Sequence, residues 1–116
     1  MKISQAWLEK SGFKVKDTSK NMPYDFEATR EDKTYLVEVK GTTSDFADAI
    51  AMTHGEVAVH RGNVGQTALM LVTKIRLNRS GQTPQAAGGQ LEALVGWNID
   101  DWLIEPTAFR VSRASS

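Results

Sequence analysis

Tyr35-Leu36-Val37-Glu38-Val39-Lys40-Gly41-Thr42 is the stretch on which the fold turns, together with the shorter Tyr24-Asp25-Phe26-Glu27-Ala28 before it. Side chains of a strand alternate between faces, so Leu36, Glu38 and Lys40 share one face while Tyr35, Val37 and Val39 share the other. A hairpin turn over Arg30-Glu31-Asp32-Lys33 folds residues 24–28 back beside this strand and brings Asp25 next to Glu38. Two carboxylates then converge with an ammonium beside them. The plain alternative is a surface ion-pair cluster, which sheets carry at little energetic gain. Against it, a carboxylate set between Leu36 and Lys40 in a run of Val, Leu and Tyr is locally inconsistent unless it has a chemical role.

Mg²⁺ is hard, prefers oxygen ligands and keeps several waters, so Asp25 and Glu38 suffice to hold it, with Mn²⁺ able to substitute. Lys40 falls where the attacking water forms, and can orient that water or stabilise charge on a pentacovalent phosphate. The reaction these residue types support is phosphodiester hydrolysis.

Asp25, twelve intervening residues and then Glu38-Val39-Lys40 resemble the core motif of the PD-(D/E)XK nuclease superfamily, with Pro23 one residue earlier than the family's proline. A resemblance over most of the chain is to the domain of unknown function at the C-terminus of the plant protein NO VEIN, which recurs in bacterial restriction and phage-defence proteins. It is carried by Ser11-Gly12-Phe13-Lys14-Val15, Tyr24-Asp25-Phe26, Val37-Glu38-Val39-Lys40-Gly41-Thr42, Met52-Thr53-His54-Gly55-Glu56-Val57, Ala68-Leu69-Met70-Leu71-Val72, and Trp97-Asn98-Ile99 leading to Glu105-Pro106. The resemblance implies a restriction-endonuclease-like α/β fold, a mixed central sheet flanked by helices, serving as a module beside helicases, ATPases or other readers. It also implies an acidic residue at the place of Glu56, and a first helix carrying an acid toward the metal, for which Glu9 is the available substitute.

The 116 residues, 41% hydrophobic with three Trp, fit a single domain over residues 1–116 with one packed core. Cysteine is absent, which removes disulfides, thiolate zinc sites and chain-borne redox chemistry, and fits a cytoplasmic setting. No apolar run approaches a membrane span, and residues 1–7 lack the apolar core of a signal peptide, so no membrane partner is expected. Fourteen basic residues balance fourteen acidic ones, and a net charge of zero argues against strong non-specific binding to nucleic acid. Local clusters point the other way: Lys2, Lys10, Lys14, Lys16 and Lys20 early, then Lys74, Arg76 and Arg79. These either flank a phosphate track or are solvated surface charges. Gly41 and Thr42, at the end of the Glu38 strand, offer amides and a hydroxyl to phosphate, or form an ordinary polar turn with Ser44 and Asp45.

Along the chain, residues 4–10 read as a helix ended by Ser11-Gly12, residues 13–17 as a strand, and 46–52 as a short strand or linker. Thr53-His54-Gly55-Glu56 has the form of a capping box opening a helix to about residue 61, and capping is preferred to a site role for Glu56. His54 and His60 are six apart, which argues against a paired-His metal site; either can contact phosphate or carry a proton, and a passive surface role is the preferred reading. Residues 67–77 read as a central strand and 78–90 as a mobile loop or arm able to contact DNA or a partner. Gly88-Gly89 lacks the Lys-Ser/Thr of a phosphate loop, so ATP use is not encoded. Trp97, Ile99, Trp102 and Leu103 recur near helical spacing and close the core, with Phe109 and Val111 adding an edge strand.

The expectation is an α/β domain with four or five strands acting as a Mg²⁺-dependent DNA endonuclease in restriction or phage defence, Asp25 and Glu38 holding metal and Lys40 assisting the water. A homodimer through residues 97–111 would let two sites cut both strands. The alternative is a catalytically silent module that binds DNA or a partner protein. Nothing in the sequence separates DNA from RNA.

Overall fold

A computed structural model describes residues 2–78 and 85–114. The elements in chain order are α1 (Lys2–Lys10), β1 (Lys14–Asp17), β2 (Phe26–Arg30), β3 (Lys33–Gly41), α2 (His54–Gly62), β4 (Thr67–Asn78), β5 (Gln85–Val95) and a 3₁₀ turn (Ile99–Asp101). The strands form one mixed sheet in the order β1-β2-β3-β4-β5, with β3 and β4 parallel and the other neighbours antiparallel.

The sheet follows from local signals at its first three strands. β2 and β3 are joined by Glu31-Asp32 alone, and Glu31 takes the left-handed conformation (φ 57°) that such a tight hairpin requires. Phe26 pairs with Val37 and Arg30 with Lys33, so the expected hairpin is present. Parallel strands need a crossover, and α2 supplies it between β3 and β4. The helix starts at the expected place: Thr53 Oγ1 accepts from the Glu56 amide at 3.1 Å, and Glu56 Oε1 accepts from the Thr53 amide at 2.8 Å.

Period-two alternation divides the core. One face carries Phe26, Ala28, Val37, Ala68 and Met70 under Leu8 of α1 and Phe13. The other carries Leu69 and Leu71 with Trp97 and Ile99, and Val57 of α2 packs against them. Residues 46–52 form neither strand nor helix, although Ala47, Ile50 and Met52 pack on this second cluster.

Three expectations are corrected. Of the anticipated loop over 78–90, residues 85–90 are strand, paired from Asn78↔Gln85 to Thr73↔Gln90; residues 79–84, and with them Arg79, lie outside the described residues. Partnership with β4 overrides the weak strand preference of small residues there, and a side chain on Gly89 (φ 114°) would lie 2.7 Å from Val72. Leu103 does not close the core: it is 85% exposed, while Trp97 and Ile99 are buried. Phe109 and Val111 add no strand. They are 81% and 93% exposed on irregular backbone, and among the described residues no strand pairs with them. Among the described residues no helix is long and apolar enough to cross a membrane.

Candidate functional site

Glu38, in the middle of β3, points to the α2 face and is only 3% exposed. Lys40 follows on the same face, with Nζ 3.6 Å from Glu38 Oε1 and 2.9 Å from Glu56 Oε1. Capping and site roles for Glu56 are therefore not alternatives: the oxygen that caps α2 also holds the lysine. Asp25 stands just before β2, where its amide donates to Val37 O at 2.8 Å and its Oδ2 accepts from the Val39 amide at 2.8 Å. The carboxylate thus supplies the acceptor at the point where the regular ladder stops. Three of the anticipated residues, Asp25, Glu38 and Lys40, and the accessory Glu56 come together at the junction of β2, β3 and α2.

The electrostatics of this junction are lopsided. Burial, then the negative charges of Asp25 and Glu56, push the Glu38 carboxyl up from 4.5 to about 8, and Lys40 offsets this only in part. A hydrogen bond to Glu56 that only the protonated acid can donate adds to the rise. For Glu56 burial is also the largest influence and acts upward. The Thr53 amide and the Lys40 ammonium outweigh it and hold Glu56 below its ordinary value.

A hard divalent cation fits these residues. Glu38 Oε2 is buried with no hydrogen-bond partner, an acceptor that lacks positive charge, and neighbouring carboxylates press on it. Among the described residues no group of three or more His, Cys, Asp or Glu side chains is placed to hold a metal. A cation here would find its oxygen donors in Asp25 and Glu38, two carboxylates being the number that leaves Mg²⁺ most of its waters.

Other anticipated residues lie elsewhere. Glu9 is exposed and accepts from Gln5 Nε2 at 3.0 Å; α1 covers the Val37 face, opposite Glu38, so Glu9 has no part in the site. Lys14 and Lys16 flank the inward Val15 on β1 and so share the sheet face of Glu38, exposed at its edge. Lys74 and Arg76 are exposed on β4, Lys74 with φ 56°. The Thr42 amide is committed to Val72 O at 2.9 Å and its hydroxyl accepts from the Ser44 amide, so that amide is not available to phosphate. A Cβ on Gly41 would lie 2.8 Å from Ile75 Cδ1, so a larger residue there would turn the tip of that side chain aside.

His60 departs from the passive surface role expected of it. It is 1% exposed rather than superficial, and its Nδ1 accepts from Trp97 Nε1 at 3.0 Å. Its one sequence signal is position: four residues after Glu56, it lies on the same side of α2. Two clefts, one lined by Asp45, Phe46, Leu91 and Glu92 and the other by Asp32, Tyr35, Val64 and Gln66 among others, include none of Asp25, Glu38, Lys40 or Glu56.

Fold and site together define a small α/β class: a mixed sheet whose crossover helix holds an acid and lysine cluster against the central parallel pair. The chain belongs to the family described as Protein NO VEIN, C-terminal, whose model matches residues 1–85. The match spans Asp25, Glu38, Lys40, Glu56 and His60 and ends at the first residue of β5. No curated protein and no solved structure matches the chain.

Proposed function

We propose that this domain is a Mg²⁺-dependent endonuclease of the PD-(D/E)XK kind, with a restriction-endonuclease-like fold, hydrolysing DNA phosphodiester bonds. One observation carries the reading: the buried Glu38 carboxylate, with one unpartnered oxygen, shares its corner with Asp25 and Lys40 at the end of a hairpin. Asp25 and Glu38 would hold the cation, Mg²⁺ or Mn²⁺. When bound, the cation supplies Lewis-acid polarisation of the phosphoryl oxygen.

The chain's own residues do the rest. Lys40, fixed by Glu56 at 2.9 Å, presents ammonium protons to the attacking water and to the charge that grows on phosphate. Glu56 keeps that ammonium from collapsing onto Glu38 alone. Phosphate oxygens of a DNA strand are hard ligands that a cation on the Glu38 face would take beside the two carboxylates. Lys14 and Lys16 on the same face extend the track for phosphate. A homodimer would cut both strands, and a cytoplasmic restriction or phage-defence assembly is the setting the reading favours.

The test is incubation of purified protein with plasmid DNA and Mg²⁺ or Mn²⁺, beside Asp25→Ala, Lys40→Ala and an EDTA control. Nicking that requires metal and falls by about 100-fold or more in each variant supports the reading, the size expected when a transition-state contact is removed. A second reading, a silent module that binds DNA or a partner, is favoured by the closed Lys40–Glu56 pair, which ties up the ammonium. No cutting by any of the three proteins, with DNA retained in a gel shift, would select it.

A further inference from the structure

Three buried polar atoms on the α2 face have no hydrogen-bond partner among the described residues: Glu38 Oε2, His60 Nε2 and Thr67 Oγ1. Thr67 belongs with Leu69 and Leu71 to the β4 face that α2 covers, and it pairs with Leu36, two residues before Glu38 on the same face of β3. As the crossover between parallel strands, α2 runs back from the Lys40 end of β3 toward the Thr67 end of β4. Glu56 is anchored on Lys40. From there the turn to His60 advances about 6 Å along the helix, and two residues from Lys40 back to Glu38 cover about 6.6 Å of strand. His60 therefore lies level with Glu38 along the strand direction, on the side of the sheet that also holds Thr67.

Trp97 closes the same corner from the other side, since the Gly96 amide before it donates to Thr67 O at 2.8 Å. Its indole N–H occupies His60 Nδ1, so the ring proton of the neutral imidazole is on Nε2. Burial holds the His60 ring below its ordinary value of 6.5 and so keeps it neutral, with Glu56 and Lys40 pulling in opposite directions.

We propose that His60 is a positioning residue for Glu38, acting through one buried water that accepts from His60 Nε2–H and donates to Glu38 Oε2 and Thr67 Oγ1. Three hydrogen bonds are what a buried water usually makes. They leave all three side-chain atoms partnered and fix the rotamer of Glu38. That Glu38 then meets a metal rests on the function proposed above; the tautomer and the water do not.

Long-range ¹H–¹⁵N correlation on ¹⁵N-labelled protein at neutral pH reads the tautomer, and a rotating-frame Overhauser contact from His60 Hε2 to water reads the bridge. An Nε2–H ring with a water contact, weakened in Thr67→Val, is expected. An Nδ1–H ring, a doubly protonated ring, or an Nε2–H without a water contact overturns the proposal. Calorimetric titration with Mn²⁺ then tests positioning: His60→Phe is expected to lower affinity by about 10-fold or more. His60→Gln, which keeps an N–H near the Nε2 position, restores most of it. Equal affinity in wild type and a folded His60→Phe overturns the positioning role. Wild-type protein that binds no Mn²⁺ defeats the metal reading, and the resonance experiments then decide the proposal by themselves.

Discussion

The two faces of the sheet are built from alternate residues of the same strands, yet they hold opposite kinds of energy. Under α1, Phe26, Ala28, Val37, Ala68 and Met70 are all apolar, and Ser4 Oγ of α1 is the one unpartnered buried side-chain polar atom on that side among the described residues. Under α2, Leu69 and Leu71 share their layer with Glu38, His60 and Thr67, three buried residues each with an unpartnered polar atom. Val37 and Glu38 are adjacent in the chain and both nearly inaccessible. The contrast teaches that the first face maintains the fold, while the second gathers polar groups whose partners must come from a bound water or cation.

The sharpest break of this contrast lies on the apolar face. Phe26→Ala removes a fully buried ring and is expected to cost about 3–5 kcal/mol in urea unfolding. Glu38→Gln tests the other face with the opposite sign. With a native pKa of about 8 against 4.5, Glu38 keeps in the folded state a proton that the unfolded chain has lost throughout that window. Metal-free wild type therefore loses stability as pH rises from about 4.5 to 8, by roughly 5 kcal/mol in total, and no further above it. Glu38→Gln lacks this slope, so it is expected to match wild type near pH 4 and to exceed it at pH 9; equal urea midpoints at both pH values would sink the argument.

Smaller effects sharpen the comparison. Thr53→Ala removes the hydroxyl that accepts from the Glu56 amide at the start of α2, and is expected to cost about 1 kcal/mol in thermal or urea unfolding. Arg61→Ala breaks the Arg61–Asp100 pair at 3.3 Å, which is more than half exposed on both sides, and is expected to change stability by less than about 0.5 kcal/mol.

How much of this was legible in the sequence varied with where each residue's partners lie. The Glu38 face of β3, the Glu31-Asp32 hairpin and the Thr53–Glu56 capping box rest on neighbours in the chain, so alternation and spacing reveal them. Residues 85–90 of β5 do not: Ala86-Ala87-Gly88-Gly89 has no apolar alternation, and pairing with β4 makes the strand. His60 was illegible for a related reason, since the Trp97 that defines its ring proton stands 37 residues later. Phe109 and Val111 show the converse, an alternating pair with nothing to pair with. At Glu9, helix position alone could not say which side of the sheet α1 covers.

The single parallel pairing has a kinetic consequence. β1 to β3 form one antiparallel meander and β4 to β5 one hairpin, each closed by contacts near in sequence, whereas β3 meets β4 only after residues 42–66 have been looped out. Local hairpins form in about 1–10 μs, and the longer closure is the slow encounter. Glu38 lies on one side of that seam and Thr67 and Trp97 on the other, so the corner that contains them is assembled last. A cation or any other ligand held across that seam ties together two halves that are far apart in the chain, and so resists the opening of the domain at its parallel join.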